Sequence, residues 1–151
     1  MEFSDRFNIK SPSNKVWEFL WDLPRIGACL PGCESIEQLD SDTYKAVIKQ
    51  NIGPFKVSMP LLITLEEITP MQRIVLSGRG EDRSGIRMKL NRAELTLYSS
   101  SPEESEVAYV MDLTLLGPMI AMGYPVINRK ANEMRTEFTQ KIIAELSGYG
   151  S

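Results

Sequence analysis

The stretch that decides the fold is Phe55-Lys56-Val57-Ser58-Met59-Pro60-Leu61-Leu62-Ile63-Thr64-Leu65-Glu66. Its odd positions all carry apolar side chains, whereas Lys56, Ser58, Thr64 and Glu66 on even positions are polar. An alternation with a period of two places the odd residues on one face of a β-strand. The stretch therefore predicts a long strand with one apolar face.

Neighbouring stretches repeat this alternation and predict an antiparallel sheet. Upstream, one strand face would hold, in order, Tyr44, Ala46, Ile48, Gln50 and Ile52. Downstream, further alternating sets cover residues 74–80, 86–97 and 107–115. The apolar phase changes from even to odd positions near Asn91-Arg92. Such a phase change predicts a β-bulge at that point.

Helical signals lie at the two ends of the chain. After an opening strand over residues 3–9, Ser11-Pro12 is a typical helix start, with Ser11 as the N-cap and Pro12 as the first helical residue. A first helix would follow. A second, short helix would run from Arg25 to Leu30, before a turn at Pro31-Gly32.

The closing segment predicts one long helix, roughly Pro118 to Leu146. Its apolar stripe, at three- and four-residue steps, comprises Ile120, Tyr124, Ile127, Ala131, Met134, Phe138 and Ile142. Pro125 lies inside this segment and removes one backbone hydrogen bond, so we expect a kink or a helix start there. A sheet of about seven strands with one apolar face needs a cover, and this helix is the only element long enough. The predicted fold is α+β, a curved antiparallel sheet around the C-terminal helix with a space between them.

Composition excludes several kinds of chemistry. The chain has 151 residues, which fits a single domain over residues 1–151, and is 42% hydrophobic and 25% charged, as is ordinary for a globular protein. It contains no histidine, so neither a Ser-His-Asp triad nor the commonest metal ligand is present. Two cysteines are too few for a four-ligand zinc site. We therefore expect no catalytic residue, no metal and no cofactor.

Charge and hydropathy bear on partners and location. The chain has 17 Lys+Arg against 20 Asp+Glu and no basic run, which argues against a nucleic-acid partner. No stretch approaches the roughly 20 apolar residues of a transmembrane segment. The N-terminus lacks the features of a secretory signal. We expect a cytoplasmic protein in which Cys29 and Cys33 are reduced, and peripheral membrane contact stays open.

Four motifs in order carry a family resemblance. They are Trp17-Glu18-Phe19-Leu20 through Leu30-Pro31-Gly32-Cys33-Glu34, then Ile52-Gly53-Pro54-Phe55-Lys56, then Gly78-Arg79-Gly80 with Gly85, and last Gly117-Pro118-Met119-Ile120-Ala121-Met122-Gly123. On these motifs the chain resembles CoxG, the carbon monoxide dehydrogenase G subunit family of the START-like (SRPBCC) superfamily, from about Phe3 to Leu146. The resemblance implies a helix-grip fold, also described as birch-pollen-allergen-like. It also implies a connection with a molybdenum-containing carbon monoxide dehydrogenase or related hydroxylase, in assembly, recruitment or electron hand-off, and a quinone or lipid as the class of ligand.

Candidate binding residues are those expected to line the space between sheet and helix. They are Tyr44, Gln50, Phe55, Val57, Met59, Leu61, Met88, Leu90, Tyr109, Met111, Met119, Met122, Ile127 and Met134. The methionines fit either core gap-filling or the soft wall of a hydrophobic ligand pocket. Gln50, Tyr44 and Tyr109 fit either satisfied polar groups of the core or groups that orient a ligand.

Three hypotheses about function stay open. The first is a non-enzymatic protein that binds a hydrophobic small molecule. The second is a ligand-free interaction module for hydroxylase assembly. The third is an enzyme similar to the polyketide cyclases of the superfamily. A charged set is interpreted as solvated sheet exterior or, alternatively, as a partner-binding surface: Arg79, Glu81, Asp82, Arg83, Arg87, Lys89 and Arg92.

Overall fold

The computed structural model describes residues 2–117 and 123–148. Its elements in chain order are β1 (Glu2–Ile9), α1 (Ser13–Trp21), α2 (Leu23–Gly27), β2 (Cys33–Gln38), β3 (Thr43–Ile52), β4 (Phe55–Thr69), β5 (Arg73–Glu81), β6 (Arg87–Ser101), β7 (Glu104–Leu116) and α3 (Tyr124–Gly148). This order confirms the predicted α+β helix-grip fold, a seven-stranded antiparallel sheet with one long helix near the C-terminus.

The sheet has the strand order β1-β7-β6-β5-β4-β3-β2, and every pair in it is antiparallel. Helices α1 and α2 connect β1 at one edge to β2 at the other edge. The register shifts between Leu90 and Arg92 where β6 pairs with β7, which confirms the predicted bulge. Further shifts interrupt β4 after Leu65 and β5 after Leu76. Bulges increase the twist and bend the strands, so the sheet curves into a concave face that can hold a helix.

Helix starts differ in part from the sequence prediction. Helix α3 begins at Tyr124, so the predicted helix start at Pro125 is confirmed within one residue. Helix α1 begins at Ser13 with Pro12 as its N-cap, and no side chain caps it. The N-cap role predicted for Ser11 is therefore wrong. The Ser11 carbonyl instead accepts a 2.7 Å hydrogen bond from the hydroxyl of Ser105 on β7, a contact between residues 94 apart in the chain.

The second short helix also lies earlier than predicted, at Leu23–Gly27 instead of Arg25 to Leu30. Pro24 sits in its first turn, where the missing N–H costs no intrahelical hydrogen bond. None of the described helices is long and apolar enough to cross a membrane.

The apolar core forms two clusters. The larger one joins β1, the first two helices and the C-terminal half of α3, and its most buried members include Phe19, Val107 and Ile142. The smaller one joins the inward faces of β3 and β4 to the first turn of α3 through Ile127. Helix α3 thus packs on β3 at one end and on β1 at the other. It crosses the concave face between these two anchor points.

Candidate functional site between the sheet and the long helix

The inward stripe of α3 is buried at its ends and only half-buried in its middle. Ile127 is 7% exposed near the start, and Phe138 and Ile142 are 5% and 0% exposed further along. Between them, Ala131 and Met134 on the same stripe keep intermediate exposure. A helix packed evenly on a sheet would bury the middle of its stripe best. We interpret the region beneath the middle of α3 as a space that the described sheet residues fill less closely than they fill the two ends.

The central strands leave room on the side that faces this space. Met88 and Leu90 on β6 point inward and are half-buried. Beside Leu90, across the β5–β6 pair, Gly78 has no side chain at all. A Cβ on Gly78 would meet the Leu62 carbonyl oxygen at 3.1 Å and otherwise only ordinary contacts at 3.7 Å and 3.8 Å. One row further along, the side chains of Met59 and Leu61 already occupy the space over Gly80.

The predicted wall residues fall into different parts of this interior. The smaller core cluster contains or contacts six of them: Phe55, Val57, Met59, Leu61, Met88 and Ile127. Met111 packs against the larger cluster. Leu90 and Met134 belong to neither cluster. Met119 and Met122 lie outside the described residues.

Tyr109 serves to hold α3 on the sheet. It is 2% exposed, stacks edge-on against Phe7 and Phe138, and shares a 3.0 Å hydrogen bond with the Thr139 hydroxyl. Thr139 in turn donates to the Asp5 carboxylate at 2.7 Å. Burial raises the pKa of Tyr109, and the hydrogen bond with Thr139 opposes that rise. The phenol that the sequence offered as a ligand-orienting group is thus engaged with the helix.

Sequence reasoning missed the part that Thr139 and Asp5 play in this network. A signal was present, because Asp5 is an acid on the strand face that otherwise carries Phe3, Phe7 and Ile9. A carboxylate on an apolar strand face needs a partner, and α3 supplies one.

Tyr44 and Gln50 lie toward the α1–α2 side of β3. Tyr44 is 7% exposed in the larger cluster, and burial, followed by the carboxylates of Asp22 and Asp42, raises its pKa. Gln50 is half-buried, and its amide nitrogen lies 2.7 Å from where a Cβ on Gly32 would stand. The amide therefore covers the turn before β2.

The Leu30-Pro31-Gly32-Cys33 segment forms this turn. Gly32 has φ +80°, a left-handed conformation that favours glycine. A Cβ there would lie 2.1 Å from the Lys49 carbonyl oxygen, and the Gly32 carbonyl accepts a 2.8 Å hydrogen bond from the Lys49 N–H. Cys29 and Cys33 at the ends of the segment are free thiols, and burial raises the pKa of both. The motif thus holds the helical crossover, the α1–α2 connection between β1 and β2, against β3.

The charged hairpin between β5 and β6 differs from the prediction at one residue. Asp82 is 7% exposed and is not part of a solvated exterior. Its Oδ1 accepts hydrogen bonds from the Ser84 N–H at 3.0 Å, the Ser84 hydroxyl at 2.7 Å and the Ile86 N–H at 3.0 Å. The carboxylate therefore shapes the loop. Within residues 2–117 and 123–148, no group of three or more acidic or cysteine side chains could hold a metal ion.

Two depressions open on the surface away from the concave face. One, of about 870 Å³, lies on the outer face of β3 to β7. The other, of about 560 Å³, lies between α2 and α3 and is lined by Arg25, Cys29, Lys141 and Glu145 among others. The Arg25–Glu145 ion pair, at 3.6 Å, crosses the second depression.

Comparison with known proteins agrees with this architecture. No curated protein sequence matches the chain. A conserved protein from Geobacillus kaustophilus superposes with a TM-score of 0.84 at 22% identity, over 98% of this chain and 96% of that one. A START superfamily protein from Mycobacterium smegmatis gives 0.73 at 9% identity, over 96% of each chain. The Zhui aromatase/cyclase from Streptomyces sp. R1128 gives 0.67 at 12% identity, over 97% of this chain and 93% of that one.

These likenesses are below the identity that would carry function, and they establish the fold alone. The family is established separately, by the model of CoxG, the carbon monoxide dehydrogenase G subunit, which matches residues 6–147. That span includes the Leu30-Pro31-Gly32-Cys33 turn, both core clusters and nearly all of α3. The chain therefore belongs to the CoxG family.

Proposed function

We propose that the chain binds a hydrophobic small molecule of the quinone or lipid class between the concave face of the sheet and α3. The observation that carries this proposal is the half-buried middle of the α3 stripe, at Ala131 and Met134, between fully packed ends. Met88 and Leu90 on the sheet give this space apolar walls, and Gly78 widens it. Methionine side chains adapt to ligands of irregular shape, which suits an apolar guest.

The role we propose is non-enzymatic and connected with a molybdenum-containing carbon monoxide dehydrogenase or a related hydroxylase, in assembly, recruitment or electron hand-off. Membership of the CoxG family supports this connection. General acid–base catalysis would need a positioned, titrating group beside the ligand. Tyr109 is the strongest candidate on the concave face, but its hydroxyl is committed to Thr139. The two free cysteines are typical of a reducing compartment, which supports a cytoplasmic location.

A pair of substitutions on α3 tests the binding site. Met134→Trp places a bulky side chain on the inward stripe, whereas Thr136→Trp places the same side chain at an exposed position two residues away. If the space is open, Met134→Trp fills it, keeps the melting temperature within a few degrees and lowers the affinity for a decyl-quinone by roughly tenfold or more. Isothermal titration calorimetry with purified protein measures that affinity, and Thr136→Trp should bind as the parent does.

Two results would contradict the proposal. One is Met134→Trp binding the quinone as tightly as the parent protein. The other is a loss of about 2–3 kcal/mol in the free energy of unfolding for Met134→Trp, since overpacking a core that is already full can cost that much.

A ligand-free interaction module is the second candidate function. The observation that favours it is the outer sheet face, where the depression lined by four cations could receive a partner. The two functions use side chains of opposite phase on the sheet, although Gly78, Met88 and Leu90 also contribute to the lining of this depression.

A further inference from the structure

The outer face of the sheet carries a row of cations that crosses five strands. The strand registers place Lys45 beside Leu62, Leu62 beside Arg79, Arg79 beside Lys89, and Lys89 beside Thr114. These side chains have the phase opposite to the concave face, and the three cations are exposed. Arg87, on the next row of β6, adds a fourth exposed cation beside Glu81.

None of these four cations has an ion-pair partner within 4.0 Å among residues 2–117 and 123–148. Other cations of the surface do have partners, as Arg73 has in Glu67 and Glu94 and as Lys49 has in Glu34. The sheet exterior therefore carries paired cations such as Arg73 and also a row of neighbouring cations that are unpaired among the described residues.

The pairing of Arg79 with Lys89 is unfavourable for the stability of the sheet. The two residues are direct cross-strand neighbours on β5 and β6. Like charges in this position destabilise a sheet, and neither has a carboxylate partner among the described residues to offset the repulsion. A cross-strand pair that lowers stability and has no compensating contact is typical of a functional surface.

The same cations line a depression and not a convex surface. The depression of about 870 Å³ on β3 to β7 is lined by Lys45, Arg79, Arg87 and Lys89, with Glu81 as its one acidic residue. Pro60, Leu62 and Leu116 give it apolar walls. These charged residues give the depression a formal charge of +3, whereas the whole chain carries −3, so the remainder carries −6. The positive charge is concentrated where the surface is hollow.

We propose that this depression docks an acidic, extended segment of a partner protein. Carboxylates would supply the missing ion-pair partners and remove the repulsion between Arg79 and Lys89. Neighbouring strands lie about 4.8 Å apart, so Lys45 and Lys89 are separated by about 14 Å across three strand spacings. In an extended peptide, acids at alternate positions recur about every 6.7 Å, so three of them span a similar distance.

The shape of the surface decides between this partner and an anionic membrane. A flat headgroup layer is reached best by side chains that protrude, with apolar groups at the tip. Here Pro60, Leu62 and Leu116 line the depression, and of these Leu62 is half-buried whereas Pro60 and Leu116 are exposed. A narrow segment can enter such a hollow, whereas a planar lipid surface would meet only its rim. The inference does not depend on the ligand proposed for the concave face.

Fluorescence anisotropy with a defined peptide tests the proposal. The probe is a labelled peptide of about ten residues with alternating glutamate and threonine, and its control replaces every glutamate by glutamine. The full chain should bind the acidic probe roughly tenfold or more tighter than the neutral one, and this binding should weaken steeply from about 50 mM to about 300 mM salt. In ¹⁵N-labelled protein, the largest shift changes should fall on amides near Leu62, Arg79 and Lys89.

A double variant and a matched control locate the site. Arg79→Gln/Lys89→Gln should lose about tenfold or more in affinity for the acidic peptide. Lys10→Gln/Lys15→Gln removes the same charge from two exposed positions at the β1–α1 end and should bind as the parent does. Far-UV circular dichroism confirms that both variants are folded.

Equal binding of the two peptides, or unchanged affinity in Arg79→Gln/Lys89→Gln, would overturn the proposal. It would also be overturned if phosphatidylglycerol vesicles sediment with the parent chain but not with this double variant, while the acidic peptide fails to bind. In that case the surface would be a membrane contact.

Discussion

Replacing Gly32 by alanine tests how the Leu30-Pro31-Gly32-Cys33 turn fastens the helical crossover to β3. The left-handed conformation at φ +80° costs an alanine about 1–2 kcal/mol relative to glycine. The lower entropy of the unfolded alanine chain offsets about 0.4–1 kcal/mol of that cost. In addition, the new Cβ would lie 2.1 Å from the Lys49 carbonyl oxygen, so the turn must move away from β3.

That movement adds to the conformational cost. It breaks the 2.8 Å hydrogen bond from the Lys49 N–H to the Gly32 carbonyl, worth about 0.5–1.5 kcal/mol. It also introduces steric strain of about 1–3 kcal/mol. Gly85→Ala is the matched control, because Gly85 has φ +90° but nothing lies within 4 Å of its Cβ position. We therefore expect Gly32→Ala to lose about 2–4 kcal/mol more than Gly85→Ala.

Urea denaturation followed by circular dichroism measures this difference in the free energy of unfolding. The corresponding gap in melting temperature is roughly 5–15 °C for a domain of this size. Equal losses in the two variants would refute the reasoning, because they would show that the close approach of Gly32 to β3 contributes nothing.

Substitutions at three further positions test other contacts of the fold and of the outer sheet face. Tyr109→Phe should cost about 0.5–1.5 kcal/mol through the lost hydrogen bond to Thr139. Burial raises the pKa of Tyr109, so the neutral phenol favours the folded state. The parent protein should keep its full free energy of unfolding below the ordinary tyrosine pKa and lose part of it as the pH rises through the folded-state pKa. Urea denaturation of Tyr109→Phe at several pH values should not show this loss. Asp82→Ala should lower the free energy of unfolding by about 1–3 kcal/mol, because the buried N–H of Ile86 loses its acceptor. Asp82→Asn keeps an oxygen acceptor and should lose less, so equal losses in the two variants would contradict this role of Asp82. Lys89→Glu should raise the free energy of unfolding by about 0.2–1 kcal/mol at low salt, because it places an acid opposite Arg79. A lower melting temperature for this variant would count against repulsion between Arg79 and Lys89.

Sequence patterns predicted the strands, the bulge and the start of α3, because these features depend on residues that are close together in the chain. The change of apolar phase near Asn91-Arg92 predicted the bulge that the β6–β7 register shows. Pro125 predicted the start of α3, because a proline fits the first turn of a helix and not its interior. The odd positions of residues 55–61 predicted the inward face of β4, where Val57, Met59 and Leu61 are buried.

Long-range contacts account for what the sequence did not predict. Ser11 has the pattern of an N-cap, but its carbonyl is engaged by Ser105 at the start of β7, 94 residues away in the chain. Tyr109 lies on the expected face, yet whether its hydroxyl meets a ligand or a helix depends on where Thr139 packs. Likewise, the row formed by Lys45, Arg79 and Lys89 exists only through the strand register.

The proposed function requires an apolar small molecule between α3 and the sheet. Native mass spectrometry of the protein purified from its own cells under mild conditions tests it most directly. We expect a species heavier than the chain by the mass of one quinone or lipid, and a reduced fraction of that species in Met134→Trp. Repeated recovery of the bare chain, together with a crystal structure in which side chains fill the space beside Met134 and Leu90, would contradict it.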